Sequence, residues 1–118
     1  MLYVKTAVRF LDDGLDKNRF ALEDNRKASQ GLRRLGLCLM GVADALAMME
    51  MQYGSREALD FLEDLTSEMA RVAHEASCEL AKERGIPELV AAAGLTRRNI
   101  AVLTVAPTGT TSNLMSCA

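Results

Sequence analysis

At 118 residues and 12.8 kDa, the chain has room for one small domain. It is 49% hydrophobic and 25% charged, which excludes a disordered tail. Its 14 Lys and Arg against 16 Asp and Glu give a net charge of -2, a poor balance for a protein that coats nucleic acid, so no direct nucleic-acid partner is expected.

Leu2, Val4, Ala7, Val8, Leu11 and Leu15 recur at three- and four-residue steps, which predicts a helix over about 2–17. Glu23 to Gln30 reads as a solvated, loop-like polar connection, with a basic cluster at Arg26, Lys27, Arg33 and Arg34 suited to phosphate, to an acidic partner or simply to solvent. From Leu35 the chain is apolar nearly all round, which predicts a buried helix over about 35–50; Gly36 and Gly41 within it suggest close approach by another backbone. Asp44 in that run calls for a partner, Arg33 or Arg34, in a structural ion pair. Met40, Met48, Met49 and Met51 read as gap-filling core or a subunit contact.

Ser55 is a good N-cap for the clearest helix, about 55–84, whose stripe is Leu62, Leu65, Met69, Val72, Ala76 and Leu80. Arg84-Gly85-Ile86-Pro87 ends it with a basic last turn, a glycine and a proline. A short helix over about 87–93 follows. Asn99 to Ala106 is β-rich and apolar on both alternating faces, which predicts a buried strand over about 99–106. No second convincing strand is evident, so the partners of this one are expected from another chain or from residues outside this sequence. The fold class is therefore mainly α with one buried C-terminal strand.

That strand runs into Pro107, Thr108, Gly109, Thr110, Thr111 and Ser112, a small, hydroxyl-rich turn before a helix start. Backbone N–H groups and hydroxyls in such a turn are suited to an oxyanion, although the spacing and lysine of a P-loop are absent. An ordinary Ser/Thr-rich turn capping a helix fits the same residues. His74 and Cys78, four residues apart on one helix, form half of a zinc-like spacing without the further ligands zinc needs, so no metal is expected. Cys38, Cys78 and Cys117 have no paired spacing and read as free thiols of a reducing, cytoplasmic compartment. No run approaches the roughly 20 apolar residues of a membrane helix, and Met1 to Thr6 lacks the layout of a signal peptide.

Two stretches carry a family resemblance. Gly31-Leu32-Arg33-Arg34-Leu35-Gly36-Leu37-Cys38-Leu39-Met40-Gly41-Val42-Ala43-Asp44 resembles the RRxGLGxMGxAD segment of ribonucleotide reductase large subunits. Arg98-Asn99-Ile100 through Ala106-Pro107-Thr108-Gly109-Thr110-Thr111-Ser112 resembles that family's strand and APTGTxS loop, and TVAPTGTTS is most similar to the adenosylcobalamin-dependent class II enzymes. The opening helix and the stretches around Ala73–Ser77 and Glu83–Gly85 fit the same order.

The resemblance implies a section of a ten-stranded α/β barrel that reduces ribonucleotides to deoxyribonucleotides by radical chemistry, with residues 1–118 a partial catalytic barrel domain. It implies substrate-phosphate binding by Pro107, Thr108, Gly109, Thr110, Thr111 and Ser112. It implies adenosylcobalamin as cofactor, with the iron-dependent class I as the other reading. The implied partners are a ribonucleotide and the remainder of the barrel or a complementing chain, with a homodimeric parent enzyme possible. The family's Asn-x-Cys-x-Glu motif for the radical cysteine is absent, so no catalytic residue is assigned to Cys38, Cys78 or Cys117, and the chain alone is expected to be inactive. The rival reading is a non-catalytic helical interaction module that pairs its terminal strand with a partner.

Overall fold

The computed structural model describes residues 2–117 and contains six helices among them. Helix α1, Leu2–Lys17, is amphipathic and lays Val8 and Asp12 onto α4, Arg56–Arg84. Helix α4 is 29 residues long, about 44 Å at 1.5 Å per residue, and sets the 48 Å length of the molecule. Ser55 caps it, its hydroxyl accepting the N–H of Ala58 at 3.2 Å, and Gly85 closes it with φ +81°, its N–H donated to Ala81.

Where α1 crosses, α4 presents small residues, Ala73, Ala76 and Ser77, all buried. They let the two backbones approach, and Val8, Leu35, Leu80 and Val102 fill the seam, flanked by Val4, Leu11, Leu15, Leu37 and Leu103. Lys5–Glu79 and Arg9–Glu83 lace the same pair of helices at its exposed rim. Such exposed pairs each contribute about 1 kcal/mol or less, so packing holds the seam.

Three sequence expectations need correction here. Residues 23–30 are not a loop: they belong to α2, Glu23–Leu32, which buries no residue and therefore shows no apolar stripe. Its first turn carries Glu23 and Asp24, favourable at a helix N-terminus, and Arg33 ends it in the left-handed region at φ +45°. Gly31 lets α2 lie against α5, Glu88–Ala92, since a Cβ there would meet the Leu89 side chain at 2.6 Å.

The helix expected over 35–50 is confined to α3, Val42–Met48. Residues 35–37 instead run extended beside 100–104, because their backbone groups bond across rather than along the chain. Leu35 N–H donates to Ala101 at 2.9 Å, Leu37 N–H to Val102 at 3.0 Å, and Thr104 N–H to Leu37 at 3.1 Å. Gly36 makes room for Thr104, whose methyl would lie 3.0 Å from a Cβ, and Gly41 turns the chain into α3 at φ +76°.

The expectation that every partner of the C-terminal segment lies outside the chain is corrected on this edge. The pairing is parallel and short, an isolated bridge between Leu37 and Leu103 rather than a sheet. Donors two residues apart, Leu35 and Leu37, meet acceptors one residue apart, Ala101 and Val102, an offset of the kind that interrupts a regular ladder. Burial along 99–106 is partial: Asn99 and Val102 are buried, whereas Val105 is 100% exposed. The last helix, α6, spans Gly109–Met115.

Leu80 lies at the centre of the α1–α4 seam. Leu80→Ala is expected to lower unfolding free energy by about 2–5 kcal/mol in chemical denaturation, whereas the exposed Tyr53→Ala should change it by less than about 0.5 kcal/mol.

Candidate functional site

Asp12 shares the inward face of α1 with Val8, Leu11 and Leu15, and its side chain is 0% exposed. Burial of a lone carboxylate costs several kcal/mol, so the fold has to supply donors. Oδ1 accepts Arg33 Nε at 2.8 Å and Asn99 Nδ2 at 2.9 Å; Oδ2 accepts Arg98 Nε at 2.9 Å and Arg84 Nη1 at 3.1 Å. Arg33 also donates to the Asp12 carbonyl at 2.8 Å, to Asp16 at 2.7 Å and to Gln30 at 2.8 Å. With Arg84 paired to Asp13 as well, three guanidiniums face three carboxylates and the cluster balances its charge. Burial opposes the ionised form of Asp12, yet the hydrogen bonds from Arg33, Asn99 and Arg98 outweigh it and hold the carboxyl below the usual carboxylate range. Among the described residues no buried side-chain nitrogen or oxygen lacks a hydrogen-bond partner.

The cluster also fastens the start of the C-terminal segment. Arg98 donates its backbone N–H to Ser77 O at 3.1 Å and its Nη1 to the carbonyls of Arg84 and Gly85 at 3.0 Å, closing the end of α4. Asn99, fully buried, exchanges two bonds with the Ser77 hydroxyl: its N–H donates at 3.0 Å, and Ser77 Oγ donates to Asn99 Oδ1 at 2.8 Å. Its amide nitrogen also donates to Arg33 O at 3.0 Å.

From that anchor the chain leaves the core and enters residues 107–112. Thr108 O accepts the N–H of Ser112 at 2.7 Å, and Ser112 Oγ donates to Gly109 O at 3.0 Å, so Ser112 closes the first turn of α6. Gly109, Thr110 and Thr111 are exposed. The hydroxyls of Thr108, Thr110 and Thr111 make no hydrogen bond among the described residues. Thr108 also lines an open cavity of about 670 Å³ between the paired segments and α4, whose other lining is mainly aliphatic, including Leu37, Val42, Leu62, Met69 and Leu103.

The remaining candidates lie elsewhere. Asp44 is exposed at the start of α3, and Arg33 pairs with Asp12 and Asp16; the buried carboxylate is Asp12, not Asp44. The signal for Asp12 was present in the sequence: positions 8, 11, 12 and 15 fall on one helix face. The basic cluster is no patch, since Arg33 is buried and Arg26 pairs with Glu23. Of the four methionines noted above, Met48 is 87% exposed and fills no gap in this chain. His74 is half-buried on α4; burial and the nearby Arg97 hold its imidazole below the usual range against a backbone hydrogen bond at Ala70. No group of three or more His, Cys, Asp or Glu side chains among the described residues is placed to hold a metal ion. The three cysteines are free, half-buried thiols, and among the described residues no helix is long and apolar enough to cross a membrane.

Comparison with known proteins bears on this geometry. Residues 2–92 match the family model of the ribonucleotide reductase barrel domain. The chain is similar to the vitamin B12-dependent ribonucleoside-diphosphate reductase of Thermoplasma acidophilum, 41% identical over 97% of this chain and 16% of that protein. It is similar to the enzyme of the same name from Mycobacterium tuberculosis, 40% identical over 90% of this chain and 16% of that protein. Among solved structures, the Actinobacillus ureae class Id ribonucleotide reductase alpha subunit superposes with a TM-score of 0.83 at 25% identity, over 92% of this chain and 22% of that one. The chain thus spans about a sixth of the length of these curated relatives.

The cluster has a pH signature. The Asp12 carboxyl is lowered in the folded state, so its stabilisation is fully present above the unfolded value of about 3.9 and is lost as pH falls through the folded value. Asp12→Ala should lower unfolding free energy at pH 7 by about 3–5 kcal/mol, because it leaves buried guanidiniums uncompensated. Denaturation curves from pH 7 to pH 2 should show part of the acid limb vanishing in this variant.

Proposed function

The chain belongs to the ribonucleotide reductase family, to the barrel domain of its large subunit, and from that premise we propose that it holds the phosphates of a ribonucleoside diphosphate with residues 107–112. The observation that carries the reading is the contrast along one segment. Arg98 and Asn99 are buried and held by several hydrogen bonds each, while ten residues on Thr108 stands at an open cavity and the Thr110 and Thr111 side chains are exposed with unspent donors. A loop fastened at its base and open at its tip supplies oriented donors without ordering them at the moment of binding. Pro107 fixes φ ahead of the turn and Gly109 keeps the backbone bare, so backbone N–H groups complete the cradle. The diphosphate follows from the names of the B12-dependent relatives.

Those names also point to adenosylcobalamin for the whole enzyme, which would supply the radical chemistry. The described residues do not form its site. The cavity beside the loop is lined mainly by aliphatic side chains, with Glu63, Thr66, Thr104 and Thr108 its main polar groups, whereas a corrinoid carries a ring of amide arms that need paired partners. The chain's own part is binding. The remainder of the barrel, on the same or a complementing polypeptide, covers the open side of 103–106 and brings the reducing cysteines. Purified alone with adenosylcobalamin and a dithiol, the chain is expected to reduce no ribonucleotide.

The test is kinetic. In active reductase containing this chain, Thr110→Val and Thr111→Val should each raise KM for the nucleoside diphosphate roughly tenfold, the loss of one hydrogen bond to a charged group. Unchanged KM in both variants would remove the phosphate-loop reading.

A further inference from the structure

Phosphate binding by residues 107–112 leaves open what decides where those residues sit. Apolar burial alone does not decide it. Within the segment only Val102 among the apolar side chains is buried, Leu103 is partly covered, and the pairing with residues 35–37 is a single parallel bridge. Four hydrogen bonds at one side chain and its own N–H do decide it. Asn99 gives two donors to Asp12 and Arg33 O, accepts from Ser77 Oγ and donates its N–H back to that same oxygen. Asp12 belongs to α1, Arg33 to the end of α2 and Ser77 to the middle of α4, so three separate elements fix one residue. Ile100 and Ala101 then meet Leu32 and Leu35 at 3.1 and 2.9 Å, and the register is set through Thr104, four residues before Thr108.

We propose that Asn99, held by Asp12, Arg33 and Ser77, is a positioning residue for the phosphate loop, fixing the register from which residues 107–112 present their donors. This rests on the phosphate-binding reading of that loop. Asn99 is well suited to the task because its amide donates and accepts at once. Aspartate of the same shape would lose both donors and place a second carboxylate against Asp12 Oδ1, where the amide nitrogen now lies at 2.9 Å. Ser77 is the matching half: fully buried, its single hydroxyl both donates to and accepts from Asn99.

The experiment uses active reductase containing this chain with Asn99→Ser, the milder Ser77→Ala, and Leu80→Ala as a control destabilised through the core alone. Amide hydrogen exchange reports the register, and steady-state kinetics with a nucleoside diphosphate reports the consequence. Both anchor variants are expected to speed exchange at residues 100–104 and to raise KM roughly tenfold with a smaller change in kcat, while Leu80→Ala leaves KM within about twofold. Should Asn99→Ser fail to fold, Ser77→Ala alone decides. Unchanged exchange at 100–104, or faster exchange with unchanged KM, overturns the positioning role. So does an equal rise in KM in Leu80→Ala, which would make the effect one of stability. If Thr110→Val and Thr111→Val raise KM but the anchor variants do not, the positioning inference fails and the phosphate loop stands; if the loop variants leave KM unchanged, the phosphate reading fails and this inference with it.

Discussion

One buried carboxylate organises this chain. Asp12 has no access to water, and the arginines that compensate it come from the end of α2, the end of α4 and the start of the C-terminal segment. Their positions, 33, 84 and 98, are far from 12 in sequence, so the cluster forms only when all those elements are in place. Desolvation makes each partial cluster expensive, because an arginine without the aspartate, or the reverse, is an uncompensated buried charge. That penalty couples elements whose apolar contacts are modest: α2 buries no residue of its own and is tied in through Arg33 and Gln30.

The cluster also divides the molecule into a fixed part and an open one. Around it lie the small residues of α4, the Ser77–Asn99 exchange and the closure of α4 by Arg98, all buried and bonded. Beyond Thr104 there is little burial: Val105, Leu114 and Met115 are exposed, and α6 buries no residue. Such a gradient, from a tightly paired base to a solvated tip, is the arrangement expected of a binding loop carried on a rigid support.

How much of this was legible in the sequence depends on whether burial leaves a period. Helices α1 and α4 bury one face each and could be read from their apolar spacing, and the end of α4 from Arg84, Gly85 and Pro87. Helix α2 buries nothing, so nothing periodic marks it. Residues 35–50 are apolar throughout, and a continuous apolar run does not distinguish a buried helix from a buried extended segment. Only Gly36 and Gly41 hinted that the chain was extended and turning there. Asp12 was hidden for a different reason: an aspartate among charged neighbours on an amphipathic helix resembles the solvated face until its position beside Val8, Leu11 and Leu15 is noticed. The order of the RRxGLG-like segment and the APTGT-like loop carried the family, and it did so independently of these errors, because local chemistry at Arg33 and at 107–112 identifies the segments whatever their secondary structure.

The choice of charge rather than hydrocarbon at the base of the loop has a physical consequence. Apolar contacts are indifferent to direction, and an aliphatic cluster at residues 12, 33 and 98 would bury comparable area while accepting several registers of the segment that follows. Hydrogen bonds to a carboxylate are directional, and a shift of one residue would strip Asn99 and Arg98 of their partners together. The net stability gained from such a cluster is small against its desolvation cost, so its effect lies in the gap between the correct arrangement and the slipped ones. If residues 107–112 hold phosphate as proposed, the placement of their donors depends on that gap more than on total stability. Polar anchorage at Asp12 and Asn99, short parallel pairing at Leu37 and Leu103, and an exposed stretch at Gly109 to Thr111 together place residues 107–112 from a fixed base, as the proposed binding role requires.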